Sequence, residues 1–257
     1  MELSLHGKTA LITGGNRGIG FDTARIFGQE GANIAICARG KDSLSEAVST
    51  LRALGINVFG MTADVSDPEQ FRAFADAAEA HFGGMDIWIN NAGSYPQMKM
   101  TDMTAAEWDE LFAINVRSVF LGAQLAKEKL MRRNGGVLFN AASFAALIPS
   151  VTSGAYGASK AAIASMTRSL AAELAPHNIR VIGYIPGVVE TDMTRPVIEQ
   201  SGQGIFAQQS LQRLGRGEDV AYPLLFLASD YASYITGAFI EITGGKFCVQ
   251  NPLQAWS

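Results

Sequence analysis

A chain of 257 residues, 48% hydrophobic and 17% charged, has apolar matter for a large core and too little polarity for disorder. Its net charge of -4 excludes a global attraction to nucleic acid or anionic membranes. Two cysteines, Cys37 inside an apolar run and Cys248 near the end, give no disulfide framework; with no apolar run of membrane-spanning length and no leader-like start, a soluble cytoplasmic protein is expected.

In chain order, short apolar runs predict strands at 8–13, 32–38, 56–63, 85–90, 136–142, 179–185 and 238–243. Helical periodicity separates them, at 21–30, 42–54, 68–82, 105–133, 154–175 and 219–229. The strands are apolar at nearly every position, as burial on both faces of a parallel sheet requires. Right-handed crossovers then give an α/β fold, a doubly wound parallel sheet with helices on both faces. No linker or repeat interrupts residues 1–257, so one domain is expected.

Between the first strand and its helix stand Gly14, Gly18 and Gly20. Missing Cβ atoms let such a turn approach a ligand, and the helix N-terminus favours a phosphate. The spacing is G-x-x-x-G-x-G rather than the common G-x-G-x-x-G, so the turn could equally be a plain loop. Residues 67–69, Asp-Pro-Glu, read as a helix start, which leaves Asp64 at a strand end with no capping duty. The second strand ends in Ala38-Arg39, where an acidic residue would suit a free ribose and an arginine a 2′-phosphate. Arg17 adds a second cation, although both arginines could simply be solvated. Asn91, Ala92 and Gly93, after the fourth strand, are a turn signal beside the glycine turn.

Tyr156 and Lys160, four apart on one helix face, pair a phenol with an ammonium expected to lower its pKa. Such a phenol can pass a proton to or from a substrate oxygen while hydride moves at a cofactor. Ser143, at a strand end, can hydrogen-bond a carbonyl as charge develops on it. Asn115, among apolar neighbours on a predicted helix, needs buried partners. No metal-ligating cluster is read from the sequence.

With residues 13–20, Asp64-Val65, 90–93, Asn115, Ser143, Tyr156 to Lys160, and Pro186-Gly187 with Thr191, the chain resembles the short-chain dehydrogenase/reductase family. The resemblance implies a Rossmann-type sheet of seven strands and a catalytic tetrad of Asn115, Ser143, Tyr156 and Lys160. It implies that Lys160 also grips the nicotinamide ribose and that Asn115 distorts its helix to hold a water in a proton relay. It places Gly14, Asn16, Arg17, Gly18, Ile19 and Gly20 on the cofactor, with Asp64 and Val65 at the adenine. Asn91, Ala92 and Gly93 would lie over the ribose, and Pro186, Gly187, Val189 and Thr191 at the nicotinamide. Arg17 and Arg39 resemble those of members that use NADP(H). Ile185 and the stretch 242–245, Ile-Thr-Gly-Gly, depart from common family patterns.

The expected reaction interconverts a ketone and a secondary alcohol, with 3-oxoacyl thioesters, polyols, sugars and steroids as candidate substrates. Arg132 and Arg133 with Arg168 could form a basic patch for an acidic carrier protein. A substrate lid is expected around 187–215, with Met193, Ile198, Ile205 and Phe206 as its apolar lining. The stretch 94–103 and Phe144 would form the other wall, and Arg195 could grip a carboxylate. A homotetramer or homodimer is expected, with the apolar tail 246–257, including Phe247, Val249, Leu253 and Trp256, packed on a neighbouring subunit. Competing readings are a non-catalytic nucleotide-sensing scaffold and a methyltransferase, neither of which has a use for Tyr156 and Lys160.

Overall fold

Each apolar run becomes a strand in the computed structural model, which describes residues 3–246 and 248–256. They are β1 (Thr9–Thr13), β2 (Asn33–Ala38), β3 (Val58–Thr62), β4 (Ile87–Asn90), β5 (Gly136–Ala141), β6 (Ile179–Pro186) and β7 (Phe239–Ile242). All pair in parallel, in the order β3-β2-β1-β4-β5-β6-β7. The winding reverses between β1 and β4, which opens a crevice at their carboxyl ends.

Two apolar layers explain why the strands lack alternation. Ala10, Ile12, Ile34 and Ile36 face a layer with α1 (Gly18–Gln29), α2 (Lys41–Ala53) and α8 (Gly217–Ala228). Leu11, Ala35 and Cys37, between them in sequence, face the other layer, with α3 (Pro68–Phe82), α5 (Ser118–Met131) and α6 (Gly154–Leu174). With both faces covered, the inner positions of such a strand are buried and apolar.

Where polar groups enter this interior they are paired. Trp88 Nε1 donates to Asn90 Oδ1 at 2.9 Å, Asn90 Nδ2 to Asn140 Oδ1 at 2.9 Å, and Asn140 Nδ2 to Thr167 Oγ1 at 3.0 Å. This chain of amides fixes β4, β5 and α6 in mutual register just below the crevice.

The helix predicted over 105–133 is not continuous. It divides into α4 (Ala105–Phe112), a π-wound turn (Ala113–Arg117) and α5. The predicted cap of α3 forms, Asp67 accepting from the backbone N–H of Glu69 and Gln70 at 2.9 and 3.1 Å. A short helix missed by periodicity, α7 (Arg195–Ser201), lies within the segment expected to be a lid. Among the described residues no helix is long and apolar enough to cross a membrane.

Candidate active site

The crevice is a cleft of about 500 Å³ that runs from Arg39 and Asp64 to Ser143 and Tyr156. At its first end the chain turns from β1 into α1 through Gly14 and Gly18, whose φ of +65° and +55° lie in the left-handed region that side chains resist. Gly20 answers a different demand: a Cβ there would press on the Gly14 carbonyl and lie 2.6 Å from Asn91 Nδ2. The N-terminus of α1 carries no side-chain cap and no acidic residue in its first turn, so its amides face the cleft without a competing anion. A pyrophosphate fits such a cradle.

Asn16 Nδ2 donates to Ser43 Oγ at 3.0 Å, closing the cradle on the side of Arg39, an exposed guanidinium at the cleft's edge. Asp64 Oδ1 accepts from the N–H and hydroxyl of Ser66, which orients the carboxylate at the end of β3. Asn91 donates to the carbonyls of Thr13 and Gly14 at 2.9 and 3.3 Å and accepts from Tyr184 Oη at 3.2 Å. Its amide is therefore occupied in fastening β4 to the glycine turn.

At the other end, Tyr156 and Lys160 stand in the first turns of α6, with Ser143 as the hydrogen-bond partner of the phenol. Tyr95 meets the Tyr156 ring edge-on at 4.7 Å between centroids. Asn115 lies fully buried behind this wall. Its Oδ1 accepts from Ser94 N at 2.8 Å, and its Nδ2 donates to Ser94 O and Ser159 Oγ, both at 3.0 Å. Those partners aim the amide inward, and the π-wound turn of 113–117 is the backbone that lets it point there.

The cleft thus gathers Gly14, Asn16, Arg17, Gly18, Ile19, Arg39, Asp64, Val65, Asn91, Ala92, Gly93, Ser143, Tyr156, Lys160, Pro186, Gly187, Val189 and Thr191. Gly20 and Asn115 stand behind its walls. Sequence reasoning missed Ser43, Tyr184 and Ser159. Ser43 could have been found from its place one turn after Arg39, and Tyr184 from a phenol near the end of an otherwise apolar strand. Ser159 is visible only through its contact with Asn115.

The structure reverses the expectation that Lys160 lowers the phenol. Burial pushes Tyr156 up to about 12, the bond to Ser143 offsetting only part of this. Lys160 Nζ donates instead to Ala141 O at 2.7 Å and lies 5.6 Å from the ring centroid. Burial thus favours the protonated form of the Tyr156 phenol. Burial also pulls Lys160 down to about 8. Because the unfolded chain keeps that proton up to 10.5, it binds more protons than the folded protein between about pH 8 and 10.5, and this residue makes stability rise with pH across that window. The expected outcome is a shallower upward slope of Tm against pH in Lys160→Met than in the unaltered protein; parallel slopes would refute the assignment.

The three arginines of the expected basic patch each have a partner. Arg132 is paired with Glu79 and Glu128 at 2.7 and 2.9 Å, Arg133 with Asp86 at 3.4 Å, and Arg168 stacks on Phe239 at 5.1 Å. Arg195 likewise is not available as expected: it pairs with Asp192 at 3.1 Å, which also lies 3.6 Å from Arg17. Within the segment 187–215, Met193 lines the cleft and stays exposed, whereas Ile205 is buried. In the tail, Trp256 Nε1 donates to Ser210 O at 3.0 Å, while Val249, Leu253 and Trp256 remain exposed; Phe247 lies outside the described residues.

Known proteins resemble this chain in sequence and in fold. Residues 14–246 match the family model described as enoyl-(acyl carrier protein) reductase. A 3-oxoacyl-(acyl-carrier-protein) reductase of Staphylococcus aureus is 34% identical over 241 residues, covering 93% of this chain and 98% of its own. A short-chain type dehydrogenase/reductase from Mycobacterium marinum has a similar structure, with a TM-score of 0.91 and 34% identity over 96% of this chain and 98% of that one. So does a 7α-hydroxysteroid dehydrogenase complexed with NADH and 7-oxo glycochenodeoxycholic acid, with a TM-score of 0.91 and 33% identity over 97% and 98%.

Proposed function

The chain belongs to the short-chain dehydrogenase/reductase family, and from that premise we propose that it is an NADP(H)-dependent oxidoreductase interconverting a ketone and a secondary alcohol. The observation that carries this reading is the pairing of a protonated Tyr156, bonded to Ser143, with a glycine cradle and Arg39 at the far end of the same cleft. NADP(H), when bound, supplies or accepts the hydride.

The protein's own residues do the rest. The Gly14 to Gly20 turn and the N-terminal amides of α1 hold the pyrophosphate, while Arg39, helped by Arg17, meets a 2′-phosphate with a rigid fork of donors. Asp64 and Val65 border the adenine, and Ala92 and Gly93, backed by Asn91, border its ribose. Pro186, Gly187, Val189 and Thr191 form the wall for the nicotinamide, and Lys160 the floor beneath its ribose.

In the reducing direction Ser143 Oγ donates to the substrate carbonyl, and the Tyr156 phenol gives its proton to that oxygen as negative charge develops there. Oxidation runs the same transfer backwards and needs the phenolate, which the ammonium of Lys160 and the positive charge of an oxidised cofactor both favour. Asn115 orients Ser159 and the loop at Ser94, and so positions the start of α6 that carries Tyr156.

Arg132 and Arg133 are already matched by carboxylates, so we read the substrate as a free small carbonyl or alcohol rather than an acyl group presented by an acidic carrier. The segment 187–215 serves as the lid. We further propose that the protein works as a homodimer or homotetramer, for which the exposed apolar side chains of the tail offer contact surface. A panel of ketones with NADPH, followed at the nucleotide's absorbance, is expected to give turnover; a panel without a single substrate would refute the reading.

A further inference from the structure

The loop after β4 brings a second phenol against the reacting one. At Ser94 the backbone is held by the buried amide of Asn115, which accepts from its N–H at 2.8 Å and donates to its carbonyl at 3.0 Å. Tyr95 follows at once, so its starting point is set by the π-wound turn that carries Asn115. Its ring meets that of Tyr156 edge-on, with 4.7 Å between centroids and 71° between planes, and Ser153 is the hydrogen-bond partner of its hydroxyl. Three residues on, Met98 N donates to Thr152 O at 3.0 Å. The loop is thus fastened at two places to the 3-10 turn Val151–Ser153 that leads into α6.

That lead-in gains from outside support. Ser153 stands at the N-cap of α6, but its Oγ turns back to accept from Ser150 N, at 3.2 Å, rather than forward to cap the helix. The helix fixes where the backbone of Tyr156 lies and leaves open how its ring turns about the side-chain bonds. Lys160, with its Nζ 5.6 Å from the ring centroid, is held by the carbonyl of Ala141. An edge-on contact is directional, because it sets the positive edge of one ring against the negative face of the other. The contact with Tyr95 therefore favours one setting of the Tyr156 ring, the one in which the phenol meets Ser143. A leucine at position 95 would fill part of the same space without that direction.

We infer that Tyr95 is a positioning residue for the proton transfer: anchored at Ser94 and Ser153, its ring holds that of Tyr156 so that the phenol stays on Ser143. The inference rests on the oxidoreductase reading. It is tested with Tyr95→Leu and Tyr95→Phe in the whole protein, using NADPH and one ketone that the unaltered protein reduces, beside fluorescence titration of NADPH and thermal melting. Tyr95→Leu is expected to lower kcat and kcat/KM together, about 10- to 100-fold, with KM and NADPH affinity kept, because a misplaced phenol weakens the transition state and not ground-state binding. Tyr95→Phe keeps the ring and should recover most of that loss. Unchanged kcat in Tyr95→Leu overturns the inference, and so does a rise in KM with kcat kept, which would make Tyr95 a contact for the substrate. A Tyr95→Phe as slow as Tyr95→Leu overturns it too, as does a Tyr95→Leu that no longer folds or binds NADPH, which would make the residue a support of the fold. In each of these cases turnover by the unaltered protein leaves the oxidoreductase reading standing. An unaltered protein that reduces no ketone overturns both.

Discussion

Tyr156→Phe is expected to bind NADPH as the unaltered protein does and to lose about 10²–10⁴-fold in kcat. The substitution keeps the ring, its edge-on contact with Tyr95 and the start of α6, and removes only the hydroxyl bonded to Ser143. What is lost is the proton that the phenol gives to the substrate oxygen. Lys160, its Nζ committed to the carbonyl of Ala141, cannot replace the donor without leaving that bond. The check is a titration of nucleotide fluorescence beside steady-state turnover. A variant that retains kcat within tenfold would remove Tyr156 from the proton transfer; one that no longer binds NADPH would make the residue a support of the fold instead.

Arg39→Asp is expected to exchange a preference for NADPH over NADH for the opposite one. The guanidinium sits just past the end of β2, where the crevice meets the cradle. A charge-assisted bond to a phosphate contributes about 1.5–3 kcal/mol, which corresponds to roughly a 10- to 150-fold preference in kcat/KM. Aspartate repels that phosphate and accepts bonds from the free ribose hydroxyls, so both halves of the substitution act in one direction. Kinetics with the two nucleotides decide it: equal use of both by the unaltered protein would mean that Arg39 does not contact a phosphate.

The strands were legible because burial on two faces leaves few positions free to be polar, and all seven lie within two residues of their expected ends. The cap of α3 was legible because Asp67, Pro68 and Glu69 each satisfy a separate local demand of a helix start. The cleft's lining followed from motifs at strand ends. What stayed hidden depends on partners distant in sequence. That Arg132, Arg133 and Arg195 are paired depends on Glu79, Glu128, Asp86 and Asp192, and neither charge counts nor spacing reveal which of these face them. The direction of the Tyr156 shift was misread for the same reason, since neighbours four apart show a nearby ammonium but not the burial that outweighs it.

The π-wound turn at 113–117 carries a consequence for everything downstream of it. One residue in a regular α-helix turns the chain by about 100°, so ordinary winding imposed on all five residues of this turn would swing the whole of α5 around its axis. Lys129, buried between Asp76 and Glu79, would leave them, and the apolar side that meets β4 and β5 would rotate toward solvent. The wide turn therefore takes up one residue while keeping the apolar sides of the two flanking stretches in phase.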